Sequence, residues 1–111
     1  MYANKSRGEV LITVRGHSVI VVAGMEGMAK LETALNGQAL LPMLSDVMNM
    51  KVSTLKAAVE CMAVAGNPES VYPQGFLDFD ALKEIKAGIL AAVDLAGKLS
   101  REQATEVEPG K

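Results

Sequence analysis

The chain has 111 residues, a formal net charge of −2 and no run of Lys or Arg, which argues against electrostatic capture of nucleic acid, a process that needs clustered cations to displace counterions. Its longest strongly apolar stretch, Ser18 to Ala23, is far short of the roughly 20 residues a membrane-spanning helix needs, and no apolar run follows a basic start, so no cleaved leader is expected. A single cysteine, Cys61, excludes an internal disulfide and fits a reducing cytosol, and a chain this long with 50% hydrophobic residues but no Trp, two Tyr and two Phe predicts one domain with an aliphatic core.

Met1 to Arg7 is polar and predicts no regular structure. Glu9 to Arg15 alternates, with Val10, Ile12 and Val14 on one face and Glu9, Leu11, Thr13 and Arg15 on the other, which is the period of a half-buried strand. Gly16-His17 is the expected turn, and the β-branched run Ser18 to Ala23 the second strand of a hairpin. A lone hairpin is marginal in water, so one face must pack on the helices that follow. The first helix is expected over 25–35, with Met28, Leu31 and Leu35 inward and Asn36-Gly37 as its stop. A second runs over 40–50 with Pro42 in its first turn, and a third over 53–65, capped by Ser53 and ended by Gly66-Asn67-Pro68. Residues 69–77 read as a loop. Asp78 or Asp80 then caps a long last helix with a buried stripe of Leu82, Ile85, Ile89, Val93 and Ala96. Strands segregated from helices define an α+β class: an N-terminal β-hairpin packed on a small bundle of about four helices. The expected domain covers residues 1–99, and 100–111, which lacks apolar periodicity, reads as a disordered tail.

No constellation in the chain has the residue types and spacing of a catalytic site. Gly24-Met25-Glu26-Gly27 lies between a strand and a helix, as phosphate-binding turns do, but carries two glycines and an acidic residue where an anion would sit. His17 is the only histidine and Cys61 lies mid-helix, without a metal-ligand partner at the right spacing. Asp78, Asp80 and Glu84 are what a helix N-terminus prefers. The helix opening at Ser53 offers only Lys51 and Lys56 as basic groups, too few for a recognition helix. The sequence therefore predicts no enzyme, no cofactor and no metal site. The second helix is the exception to this plainness, because it is apolar on more than one side. Leu40, Leu41, Leu44, Val47 and Met48 form the expected core stripe, and Met43 and Met50 lie on another line. A helix apolar most of the way round is either central or covered by a partner, and methionines repack readily against varied surfaces. Met43, Val47 and Met50 are accordingly the expected partner-binding residues.

Three stretches carry a family resemblance: Gly8-Glu9-Val10 with Gly16; Met28-Ala29-Lys30-Leu31-Glu32-Thr33-Ala34-Leu35-Asn36-Gly37; and Ser53-Thr54-Leu55-Lys56-Ala57-Ala58-Val59 with Ala65-Gly66-Asn67-Pro68-Glu69. Over Gly8 to Glu69 the chain resembles the tail assembly chaperones of tailed phages and gene transfer agents, a group also labelled tail tube proteins. It departs from them at Gly24-Met25-Glu26-Gly27, where a polar cap is usual, and after Pro68, where it is longer. The resemblance implies a non-enzymatic assembly factor of the bacterial cytoplasm that binds tape measure and tail tube proteins. It leaves open a structural role in the particle, or a small DNA-binding regulator, and leaves room for a homo-oligomer.

Overall fold

The computed structural model of the chain describes residues 1–72 and 75–107, with side chains described as far as 103. A short 3₁₀ turn at Lys5–Arg7 precedes strands β1 (Glu9–Val14) and β2 (His17–Val22), which pair antiparallel from Glu9↔Val22 to Val14↔His17. The connecting turn is Arg15-Gly16, one residue earlier than the sequence reading. Both residues have positive φ, 51° and 80°, as the primed two-residue turn requires to match strand twist. Glycine fills the second position at little cost and Arg15 is held left-handed, which leaves His17 exposed at the start of β2. The expected alternation holds: Ile12, Val14, Val19 and Val21 are buried, while Leu11 and Thr13 face outward.

Helices α1 (Met25–Ala34), α2 (Leu40–Met48) and α3 (Val52–Met62) follow, then β3 (Ala63–Ala65), α4 (Pro68–Val71) and α5 (Phe79–Val107). The fold is α+β, with the hairpin extended to a three-stranded antiparallel sheet of order β1-β2-β3. Helices α1 and α2 end in the same way. The residue after the cap is left-handed, Asn36 at φ 60° and Met50 at φ 59°. The next amide closes back five residues, Gly37 N–H to Glu32 O at 2.8 Å and Lys51 N–H to Asp46 O at 2.9 Å. This satisfies carbonyls that a helix end leaves free and turns the chain sharply.

The core is aliphatic, as composition required. Leu31 of α1, Met43 and Val47 of α2, Leu55, Val59 and Met62 of α3, Val71 of α4, and Leu82, Ile85 and Ile89 of α5 meet the inner face of the sheet. Helix α5, 29 residues long, spans about 43 Å at about 1.5 Å per residue and sets the long axis of a molecule measuring 57 × 32 × 19 Å. It crosses the sheet at Gly88, where an added Cβ would fall inside the Ile12 side chain, 2.6 Å from Cδ1. Asp78 caps it, accepting the Ala81 N–H at 3.1 Å with one oxygen and the Arg15 guanidinium at 2.6 Å with the other. One carboxylate thus ties the start of α5 to the hairpin turn.

Four local expectations are corrected. Helix α3 starts at Val52, with Lys51 rather than Ser53 at its cap, and ends at Met62 rather than Ala65, because residues 63–65 leave the helix to pair with β2 across a bulge at Ile20/Val21. The expected loop after Glu69 contains α4, capped by the Asn67 side chain on the Glu69 N–H at 3.0 Å with Pro68 in the first turn. Helix α5 continues through the expected tail to Val107, and the remaining tail residues, 108–111, lie outside the described ones. In α2 the expected core stripe holds only in part: Val47 is buried and Leu44 packs against the core, but Leu40, Leu41 and Met48 are 50%, 75% and 59% exposed, and Met43 from the other line is buried in their place. At about 100° per residue, the Met43–Val47 face lies opposite Ser45 and Asn49, so the inward direction follows from where the polar side chains point.

Candidate functional site: an apolar groove between three helices

The long apolar stripe of α5 outruns its cover. Leu82, Ile85 and Ile89 are enclosed by the sheet and α3, but Val93 and Ala96, expected to be buried as well, are only half-buried. They form one wall of a groove of about 830 Å³, together with Gly97 and Ser100. The other wall is α1, through Met25, Met28, Ala29, Leu31 and Glu32, and the far end is closed by Gln38, Leu40 and Met43 at the start of α2. The volume falls within the range of about 300–1,000 Å³ typical of ligand clefts.

Local sequence explains the shape. Gly24 starts α1 without a side-chain cap, and Ala29, Ala96 and Gly97 line the groove with small side chains, so the channel between α1 and α5 is not filled by its own walls. Met25 is 89% exposed at the lip, and Met28 beside it is half-buried. Methionine at a lip can adapt its three rotors to whatever lies across it. Glu32 is the one charged side chain among the described lining residues. Nearby charges are engaged elsewhere: Glu26 with Lys30 at 3.5 Å, and Asp46 with Gln38 Nε2 at 2.9 Å and Lys51 at 3.7 Å.

The three residues expected at a partner surface separate. Met43 reaches the groove but as its floor, 3% exposed; Val47 is fully enclosed in the core and is not among the lining residues. Met50, half-buried, is spent on the left-handed turn out of α2 and is not a lining residue. The surplus apolar surface of α2 is real, but it is carried by Leu40, Leu41 and Met48. The residues of α1 and α5 that make the groove were read from the sequence as ordinary core positions. The half-polar character of α1, with Glu26, Lys30 and Glu32 interleaved, hid the lip.

The described lining residues include no histidine, cysteine or lysine, and offer apolar contact, the Glu32 carboxylate, the Gln38 amide and the Ser100 hydroxyl. Among the described residues, no group of three or more His, Cys, Asp or Glu is placed to hold a metal ion, and no helix is long and apolar enough to cross a membrane. Cys61 sits half-buried on α3; desolvation by burial, helped by the Glu60 carboxylate and opposed by Lys30, pushes its thiol above the ordinary range, which makes it less reactive. A smaller cleft of about 460 Å³ lies over Lys56, Glu60 and Tyr72, where the Lys56 ammonium stands 5.6 Å from the Tyr72 ring centre. Comparison with family models, curated proteins and solved structures finds no match.

Proposed function

We propose that the chain is a non-catalytic assembly factor that shelters an apolar helix of a partner protein in the groove between α1, α2 and α5. The observation that carries this is the groove itself: a concave apolar surface of about 830 Å³, lipped by exposed Met25 and Leu40, where the α5 stripe runs on half-buried past Ile89. An amphipathic helix laid in a groove reads its walls through residues at helical spacing, and the small side chains of Ala29, Ala96 and Gly97 leave room for larger ones from outside. The resemblance over Gly8 to Glu69 makes the partner a tape measure or tail tube protein of a phage, prophage or gene transfer agent, and the place of action the host cytoplasm. Tape measure proteins are long and helical, and expose apolar stripes until assembled, which is the chemistry the groove would cover.

The test is co-expression with the tape measure protein of the same locus. The native chain should keep it in the soluble fraction and co-purify with it. Ala29→Arg, which puts a charge on an exposed wall of the groove without disturbing the core, should abolish both effects while the chain stays folded. Retention of the complex by Ala29→Arg, or no complex with the native chain, would overturn the reading. Abundant chain in purified particles would favour the structural tail role instead.

A further inference from the structure

Strand β1 is one of the two outer strands of the sheet, and the longer of them, and its free edge has an unusual property: it is complementary to itself. In a two-residue hairpin the residues flanking the turn exchange amide bonds, and every second pair does so from there. Val14/His17, Ile12/Val19 and Val10/Val21 are therefore the bonded pairs, and Glu9, Leu11 and Thr13 direct their backbone groups away from β2. The Glu9 amide is already used, donating to Asn4 O at 3.1 Å. Among the described residues, nothing pairs with the outward amides and carbonyls of Leu11 and Thr13. Natural edges are usually blunted by a charge, a proline or a bulge; between Glu9 and Arg15 this one carries none of these.

We infer that the β1 edge pairs antiparallel with the β1 edge of a second copy of this chain, centred on Ile12, to give a two-fold dimer with a continuous six-stranded sheet. The register follows from the two ends. Sliding one step toward the start of β1 would need the Glu9 amide, which Asn4 holds. Sliding one step the other way would bring in Arg15, whose φ of 51° takes it out of strand conformation. Only the register with Leu11 opposite the partner's Thr13 uses both free residues of each copy. In that register Glu9 comes level with the partner's Arg15 just beyond the paired residues, twice by symmetry, so the two charges that bound the strand complement each other at the ends of the new ladder. Each is already in local contacts: one Glu9 oxygen accepts the Asn4 N–H at 2.9 Å and the other meets Arg7 at 3.3 Å, and Arg15 meets Asp78 at 2.6 Å; each carboxylate oxygen keeps a second lone pair, and Arg15 further N–H donors, for the contact across the two-fold axis. None of the groove-lining residues belongs to β1, so the dimer and the groove stand or fall separately.

Sedimentation velocity over micromolar to submillimolar concentrations tests this with two charge reversals. The native chain should dimerise, and less so at high salt. Glu9→Arg and Arg15→Glu should each sediment as monomers, because each sets like charges opposite one another. Mixed together they should dimerise again, since every pair in the mixed dimer is opposite in sign. Restored local contacts cannot produce that rescue, because neither chain regains its own Arg7 or Asp78 partner. Should either reversal fail to fold by circular dichroism, Leu11→Lys, on an exposed position, decides the matter by giving a folded monomer. A native chain that stays monomeric, a charge reversal or Leu11→Lys that leaves the dimer intact, or folded reversals that do not associate when mixed would each overturn the inference.

Discussion

Replacing Gly88 by alanine should destabilise the fold, although the same change in an exposed helix would stabilise it. Helix propensity alone favours alanine by about 1 kcal/mol. Against that stands the approach of α5 to the sheet, where the new Cβ would fall within the Ile12 side chain and 2.6 Å from its Cδ1. Overpacking a filled core costs about 1–3 kcal/mol, and here the obstacle is a side chain that is 2% exposed and has nowhere to turn. The expected net loss is roughly 1 kcal/mol, or about 4 °C or more in melting temperature for a domain of this size. Ile12→Ala alone should cost about 2–5 kcal/mol through the cavity it leaves. In that background Gly88→Ala should become stabilising, because the propensity gain returns and the methyl fills part of the void. Urea unfolding of the four proteins followed by circular dichroism gives the cycle, with an expected coupling of about 2 kcal/mol. A gain in stability from Gly88→Ala in the native background, or the same cost in both backgrounds, would refute the close crossing of α5 and β1. The height of α5 over the sheet also fixes where Val93 and Ala96 stand, so the crossing bears on the groove as well as on stability.

Thr54 is 1% exposed and its hydroxyl has no hydrogen-bond partner among the described residues, so Thr54→Val should stabilise the fold by about 1 kcal/mol, seen as a higher melting temperature. Asp78→Ala removes both the cap of α5 and the bridge to Arg15 and should cost about 1 kcal/mol; Asp78→Asn, which keeps an oxygen for the cap, should cost less than half of that, since the bridge is partly exposed, and the two urea midpoints separate these contributions. For Cys61, the folded pKa is raised, so the folded state holds the proton longer than the unfolded one. Its contribution to stability is therefore complete below the unfolded thiol pKa and is lost as pH rises through the folded value. Native and Cys61→Ala chains should diverge in that alkaline window, and iodoacetamide should modify Cys61 at neutral pH more slowly than it modifies free cysteine.

The hairpin is legible because its alternation and its glycine leave few alternatives, and the turn falls one residue earlier than expected because both of its residues, Arg15 and Gly16, take positive φ. Helix α4 is legible too: Asn67-Pro68-Glu69 is a cap, a first-turn proline and a first-turn acid in order, although the same Pro68 also serves as a stop for the segment before it. The end of α3 was not, since Ala63-Val64-Ala65 suits a helix locally and becomes a strand only through pairing with β2, a contact distant in sequence. In α2 the apolar residues surround the helix, so hydrophobicity could not set its phase, while Ser45 and Asn49 could have. The groove was hidden for a different reason. Val93 and Ala96 continue the stripe of Ile85 and Ile89 without a break, and where a stripe loses its cover depends on the ends of other elements.

Hydrogen exchange of the full chain, alone and mixed with the proposed partner, a tape measure protein, tests helix capture most directly. The account predicts added protection on α1, the start of α2 and residues 93–100 of α5. Protection confined to other surfaces, with these three segments exchanging as in the free chain, would contradict it.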